Sequence, residues 1–434
     1  MKYLQDIRAA QADAKRLEDL YRAARQDHVE DEFKADLLAC HAESPDNILY
    51  AAWHYRLQAA ETEQPEGRGV NWKLAIPLGL IAGLVFAVLS SSRLDLPHHT
   101  PLLLYAGAPI GACFIAAFLT FQTTSRQYSK RAGAVIGGLI AISIYVILVV
   151  ALANHEQYKI LMAFHLPLLA LTGVGISLVG IKSNVQERFA FLLKAIEVGV
   201  TGGVYVIVGG MFAGITIGLF AALSVKLPDD LIKALIAGGA GVICVLAVAT
   251  VYDPRVAPLA QRFEQGLGKL VPTMMRLLLP LTLIVLVVYL FVIPFNFMQP
   301  FRNRDVLIVY NAMLFAVMGL LIGATPLQEH DLPKYHSALR AGILAVASLT
   351  VVISLYALSA TVYRTVLGGF TLNRVTIIGW NVINIGILVL LIYKQVKHGA
   401  AAWVGSLQSA VSAGTIAYVV WALLLTLISP WLFR

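Results

Sequence analysis

Long stretches of apolar residues that carry almost no charge recur from residue 73 to the end of the chain. Each is about 18 residues or longer, enough for a helix rising 1.5 Å per residue to cross ~30 Å of hydrocarbon. A segment in lipid must satisfy its backbone hydrogen bonds internally, so each stretch is predicted to be an α-helix. One or two such segments could be core helices of a soluble protein, but about eleven in series could not. The predicted spans are 73–90, 101–121, 132–152, 159–180, 199–223, 231–251, 274–294, 305–323, 341–361, 376–393 and 404–428.

The composition agrees with this interpretation. Apolar residues make up 58% of the 434 residues and charged residues 13%, whereas roughly a quarter of a soluble domain is charged. The predicted fold is therefore an all-α polytopic transmembrane helix bundle of about eleven spans with a small N-terminal cytosolic helical domain. The predicted divisions are a helical head at 1–60, a linker at 61–72 and a transmembrane domain at 73–434.

The head is predicted to contain three short helices. The first carries one apolar stripe and the second runs from about Val29 to His41, while Ser44 and Pro45 are expected to start the third. Helices of this size bury little apolar area alone, so we expect them to pack on each other or on a partner. The stripe consists of Tyr3, Ile7, Ala10, Ala14, Leu17, Tyr21 and Ala24.

Charge is unevenly distributed along the chain. Residues 1–73 contain 10 of the 33 basic and 14 of the 25 acidic side chains, so the positive excess belongs to the membrane part. Nucleic acid is a poor candidate partner because the one large polar segment is acidic. With the head inside, fourteen basic residues of the membrane part fall on the inner side and nine on the outer side. This bias predicts a cytoplasmic amino end, and an odd number of spans then predicts an outer carboxyl end.

Two outer loops of the second half break that charge rule. Residues 295–305 and 363–374 place Arg302, Arg304, Arg364 and Arg374 on the side that should be poor in positive charge. Arginine presents a fork of donors suited to phosphate or carboxylate, which predicts a site for an anionic lipid headgroup or solute. The alternative is that these arginines reach the phosphates of the outer leaflet and only anchor the spans.

Polar side chains are sparse inside the predicted spans: the candidates are His165, Asn311, Asn381 and Asn384. Amides in spans most often make hydrogen bonds between helices, and the two in the tenth span are predicted to share one face because they are three residues apart. His165 precedes Leu166-Pro167, which leaves open a proton relay or a hydrogen-bonded packing residue. No Asp or Glu lies at a predicted span centre, which counts against a proton-coupled pump.

The fifth span is rich in glycine, with a GxxxGxxxG run that predicts close packing against another helix, in this chain or in another subunit. The packing glycines are Gly203, Gly210, Gly214 and Gly218. The preceding stretch, 184–199, is amphipathic and predicts an interfacial helix that continues into the span. Its polar residues are Glu187, Arg188, Lys194 and Glu197.

Motifs for catalysis or cofactors are not found in the sequence. It has no phosphate-binding glycine loop, no HExxH zinc motif and no Cys/His set with metal spacing. The prediction is therefore no catalytic residue, no metal and no cofactor.

Two stretches carry a resemblance. SPDNILYAAWHYRLQ (44–58) and GGFTLNRVTIIGWNVINIGIL (368–388) resemble a family of bacterial multi-pass membrane proteins that has no agreed activity. The likeness rests on Gly369, Thr371 and Arg374, followed by the span that bears the amides. It implies a bacterial inner membrane.

These observations lead to one main prediction and two alternatives. The main prediction is a non-catalytic inner-membrane protein that handles an anionic lipid or solute, or serves as a subunit of a membrane complex. Its partners would be membrane lipids, a protein docked on the head, or further copies of the chain. The first alternative is a membrane enzyme acting on a lipid-linked phosphate, with Arg374 binding phosphate and His165 or Asp253 as base. The second is a sensor whose head changes partner.

Overall fold

The computed structural model describes residues 3–26, 30–63, 70–123, 126–152, 156–261, 263, 267–327, 335–400 and 402–433. The chain divides into two compact units, Met1–Asn71 and Trp72–Arg434. Part of the predicted linker, residues 64–69, lies outside the described residues.

The described residues of the first unit form four helices rather than the three predicted: α1 Leu4–Ala9, α2 Ala14–Gln26, α3 Glu30–Glu43 and α4 Ile48–Glu63. The stripe expected to form one helix is broken before Ala14, because the carboxylate of Asp13 accepts hydrogen bonds from the backbone N–H groups of Lys15 and Arg16. This contact satisfies donors that the first turn of a helix leaves free. The stripe still faces one core.

The start of α4 also differs from the prediction. The side chain of Asn47, not Ser44, accepts hydrogen bonds from the backbone N–H groups of Leu49 and Tyr50, at 2.9 and 3.2 Å. Asparagine is as good a cap as serine, and Asn47 stands next to the first helical residue.

The core of the first unit is aromatic. Phe33 of α3 is fully buried and lies 5.5 Å from Tyr21 and 6.1 Å from Trp53, measured between ring centroids. The hydroxyl of Tyr50 donates to the backbone carbonyl of Ile7 at 2.9 Å, which ties α4 to α1. The helices of this unit therefore pack on each other.

The second unit is a helix bundle. Its helices are α5 Trp72–Leu89, α6 Leu103–Phe121, α7 Arg126–Leu152, α8 Glu156–Val179, α9 Val185–Ala222, α10 Asp229–Val251, α11 Leu267–Val292, α12 Gln299–Arg302, α13 Arg304–Ala324, α14 His336–Gly368, α15 Leu372–His398, α16 Trp403–Leu427 and α17 Ser429–Leu432. Among the described residues, eleven of the helices are long and apolar enough to cross a membrane. The predicted all-α polytopic bundle is confirmed, and the chain is a multi-pass membrane protein.

The bundle contains one very close helix pair and one large core. Helix α5 packs on α10 through glycines that bring the two backbones together, as at Gly83 and Gly238. A large apolar cluster is formed by residues of α9, α11, α13, α14, α15 and α16. Ile343, Leu388 and Leu407 are fully buried in it. Helix α8 packs against both α15 and α16, so polar residues of α8 and α15 can meet.

Helix α9 is a single helix of 38 residues. It begins with a capping box, in which Asn184 and Glu187 exchange hydrogen bonds with each other's backbone N–H. The amphipathic stretch continues into the span, as predicted, but its inner part does not lie on a surface. Lys194 and Glu197 are buried.

Candidate functional site

The two arginine-bearing loops meet at one end of the bundle. Arg302 ends α12 and Arg304 begins α13, while Arg364 lies in the last turns of α14 and Arg374 in the first turn of α15. The guanidinium of Arg364 donates from Nη1 to the backbone carbonyl of Arg302 at 2.9 Å. This contact brings together residues that are 62 positions apart in the chain.

Aromatic packing fixes the arginine loop against α14. The ring of Phe301 lies 6.0 Å from Tyr356 and 5.5 Å from Tyr363. The hydroxyl of Tyr356 donates to the backbone carbonyl of Phe297 at 2.6 Å. The anchoring of Phe297 and Phe301 therefore determines where the short helix α12 presents its terminal arginine.

Arg374 closes the turn between α14 and α15. Its Nη1 donates to the carbonyl of Gly369 at 2.7 Å, and a Cβ added to Gly368 would lie only 2.7 Å from the same nitrogen. The cap of α15 is Thr371, whose hydroxyl accepts from the backbone N–H of Arg374 at 3.4 Å. Arg374 thus stabilises the loop as well as adding charge to it.

We expect Gly369→Ala to destabilise the bundle by about 1–2 kcal/mol. Gly369 has φ +79° and ψ 167°, a region that residues with a Cβ avoid. The matched control is Gly386→Ala in α15, where an added Cβ meets nothing within 4 Å and the change is expected to be neutral or slightly stabilising. Unfolding in detergent micelles measures both free energies. An equal loss of unfolding free energy in the two variants would contradict the conclusion that the backbone conformation of Gly369 requires glycine.

The charge of the four arginines is not balanced locally. Within the part of the chain that the structure describes, none of their guanidinium groups lies within 4.0 Å of a carboxylate. Arg302 and Arg304 are exposed, and Arg364 and Arg374 are partly buried. Unpaired arginines at the end of a membrane bundle can bind phosphate groups, of lipid or of solute.

The intramembrane polar residues form contacts between four helices. The indole N–H of Trp380 (α15) donates to Nε2 of His165 (α8) at 3.2 Å. The amide of Asn381 (α15) donates to the side-chain oxygen of Asn311 (α13) at 2.6 Å. The hydroxyl of Tyr418 (α16) donates to the side-chain oxygen of Asn384.

These hydrogen bonds assign a protonation state to His165. Because Nε2 accepts from Trp380, the ring proton resides on Nδ1 and donates to the carbonyl of Leu161 at 2.7 Å. The imidazole is therefore neutral, and both nitrogens are occupied. In this arrangement His165 makes the contacts expected of a hydrogen-bonded packing residue.

Asn384 has a partner for only one end of its amide. The residue is fully buried, and its Nδ2 has no hydrogen-bond partner among the described residues. Turning the amide over would instead leave the oxygen without a donor. A polar group without a partner is costly in a membrane interior.

The four glycines of α9 have no neighbour within the described chain. A Cβ added at Gly203, Gly210, Gly214 or Gly218 would meet nothing within 4 Å. Close packing at these glycines therefore remains a prediction, and it concerns a neighbour other than the described residues of this chain.

A buried ion pair was not predicted from the sequence. Nζ of Lys194 lies 2.7 Å from Oε2 of Glu197, and the two side chains are 3% and 9% exposed. Glu197 lines a cavity of about 360 Å³ between α9, α11 and α13, which Lys269 and Arg276 also line. The signal available in the sequence was the opposite charge of two residues three positions apart, hence on one helix face.

The candidate bases of the enzymatic alternative are occupied elsewhere. Oδ2 of Asp253 lies 2.7 Å from Nη2 of Arg255, and this hydrogen bond raises the pKa of the Arg255 guanidinium. His165 accepts from Trp380. No contact places either residue beside Arg374 among the described residues.

Comparison of the chain with protein-family models, with curated proteins and with solved structures finds no match.

Proposed function

We propose that this multi-pass protein belongs to a bacterial inner membrane, has a cytoplasmic amino end and binds an anionic lipid headgroup or solute without catalysing a reaction. The contact would be the surface formed by Arg302, Arg304, Arg364 and Arg374. One observation carries the proposal: these four guanidinium groups share one end of the bundle and lack carboxylate partners in the described chain.

The four arginines would have different tasks. Arg364 and Arg374 each donate to a backbone carbonyl of the adjoining loop, so they hold the surface in shape. Arg302 and Arg304 are exposed and make no side-chain hydrogen bond within the described chain. Their donors are free for a phosphate, and variants at these two positions test binding without breaking a loop contact.

We expect the double variant Arg302→Gln/Arg304→Gln to weaken binding of an anionic headgroup roughly 10–30-fold, because each basic residue near an anionic group contributes ~1 kcal/mol. Purified protein in neutral micelles is titrated with short-chain phosphatidylglycerol and, separately, with inorganic phosphate. If the variant loses affinity for phosphatidylglycerol alone, the ligand is a lipid. If it loses affinity for inorganic phosphate as well, the ligand is a phosphate-bearing solute.

The matched control is Arg93→Gln, an exposed arginine in the α5–α6 loop, which is expected to leave both affinities unchanged. The same titration curves for the double variant and the unaltered protein would contradict the proposal. The enzymatic alternative has less support, because Asp253 is paired with Arg255.

A role as a subunit of a membrane complex has its own support. None of the residues 202–222 of α9 is buried, and four of its glycines have space for a close neighbour. The acidic head, Met1–Asn71, would then offer a docking element to a protein partner, as a sensor's head would.

A further inference from the structure

A second group of cations surrounds the turn between α8 and α9, residues 180–184. The guanidinium of Arg131, from α7, lies against this turn: a Cβ added to Gly180 would be 2.8 Å from its Nη1. Lys182 is exposed in the turn itself. Arg188, from the first turns of α9, donates from Nη2 to the carbonyl of Ser183 at 2.8 Å. Arg131 and Arg188 thus contact the turn from two helices, and the turn itself carries Lys182.

The turn has donors that the described chain does not use. Arg131 makes no hydrogen bond or ion pair with the described residues. The hydroxyl oxygen of Ser183 is buried and has no partner among them, and the residue is 8% exposed. The nearby carboxylate of Glu187 is held by the backbone N–H of Asn184 in the capping box.

An apolar groove begins at these residues. It has a volume of about 260 Å³, starts at Gly180, Ser183 and Arg188, and is walled by α8, α9 and α16. Its lining includes Leu168 on α8, twelve residues from Gly180, which is about 18 Å at 1.5 Å per residue. One leaflet of a bilayer is about 15 Å thick, half of the ~30 Å hydrocarbon core.

The polarity of the groove changes along its length. In its deeper part the hydroxyls of Thr172, Thr415 and Tyr418 all donate to groups of the chain itself. The unused donors lie at the entrance, near Ser183. A ligand that fits this arrangement has an anionic group at one end and a hydrocarbon chain of about one leaflet's length.

We propose that the α8–α9 turn and this groove form a binding site for an anionic phospholipid. Arg131, Lys182, Arg188 and the hydroxyl of Ser183 bind the phosphate, and one acyl chain lies in the groove. A soluble anion would leave the groove unfilled, whereas a neutral lipid would leave the cations without a counter-charge. The site is separate from the arginine surface of α12–α15.

The test counts phosphatidylglycerol retained by the purified full-length protein, using native mass spectrometry after exchange into nanodiscs of phosphatidylcholine with a minor share of phosphatidylglycerol. Two variants disrupt the site in different ways, one at the phosphate-binding end and one in the groove. Arg131→Gln/Lys182→Gln removes charge without touching the carbonyl contact of Arg188, and Ile416→Trp fills the groove from α16. In the Arg302→Gln/Arg304→Gln background, which removes the share held by the arginine surface, each is expected to lower retention about tenfold or more.

Matched controls keep this result interpretable. Lys130→Gln removes an exposed charge next to Arg131, and Val382→Trp adds the same ring at an exposed position of α15; neither is expected to lower retention. Arg302→Gln/Arg304→Gln is expected to lower retention by a separate amount that adds to the loss at this site, so the two proposals fail independently. Unchanged retention in Ile416→Trp, or displacement of the lipid by millimolar inorganic phosphate, would overturn the phospholipid assignment.

Discussion

Glu197→Leu is expected to destabilise the membrane unit by about 3–5 kcal/mol. The carboxylate is 9% exposed and lies 2.7 Å from Nζ of Lys194, which is 3% exposed. Removing the Glu197 carboxylate takes away the opposite charge beside the buried Lys194 ammonium, and the desolvation cost of that ammonium then dominates the effect. The ring of Phe263, 4.7 Å from Nζ, stabilises the remaining ammonium only in part.

A double-mutant cycle separates this cost from the value of the pair itself. Lys194→Met alone should also destabilise the protein, because Glu197 then remains buried and unpaired. Lys194→Met/Glu197→Leu together should recover most of the loss, since apolar residues of similar volume commonly replace buried ion pairs without cost. Unfolding of the four proteins in micelles measures the cycle. Single losses below about 1 kcal/mol would mean that water reaches the pair.

The burial of the Lys194–Glu197 pair could not be predicted from the sequence. Opposite charges three residues apart predict a salt bridge on one helix face, but burial depends on what packs over that face. Here Phe263, from the segment that follows α10, covers Lys194. The membrane spans could be located from the hydropathy of each segment alone, whereas the cover over Lys194 includes Phe263, which lies 69 positions away in the chain.

The arginine surface shows the same division between local and tertiary information. The sequence located four arginines in two loops, and it could not bring the loops together. That contact depends on the aromatic packing of Phe301 against Tyr356 and Tyr363 and on the bond from Arg364 to the Arg302 carbonyl.

The two amides of α15 show that residue spacing alone does not predict which neighbouring helix a side chain contacts. Asn381 and Asn384 are three residues apart, which separates them by about 60° around a helix. That angle is enough to direct them to different helices. Asn381 bonds Asn311 of α13, and Asn384 bonds Tyr418 of α16. Neighbouring helices, not the spacing, decide whether such residues share a partner.

The glycines of α9 and those between α5 and α10 differ most clearly in what the sequence predicts and what the structure shows. The GxxxGxxxG run of α9 has no close neighbour in the described chain. The close approach of two backbones occurs instead between α5 and α10, where Gly241 of α10 meets the carbonyl of Ala82. Spacing shows where a helix can accept a neighbour, while the presence of that neighbour depends on the topology of the bundle.

Gly241→Ala is therefore expected to destabilise the bundle by about 3 kcal/mol, at the upper end of the cost of overpacking a core. An added Cβ would lie 2.7 Å from the carbonyl oxygen of Ala82 and 2.9 Å from both its carbonyl carbon and the ring of Phe86. Two of these atoms are backbone, so relief requires α5 and α10 to move apart. Gly239→Ala, two residues away in the same helix, meets nothing within 4 Å. This control should gain up to about 1 kcal/mol from helix propensity, and effects of the same sign in the two variants would contradict the close α5–α10 contact.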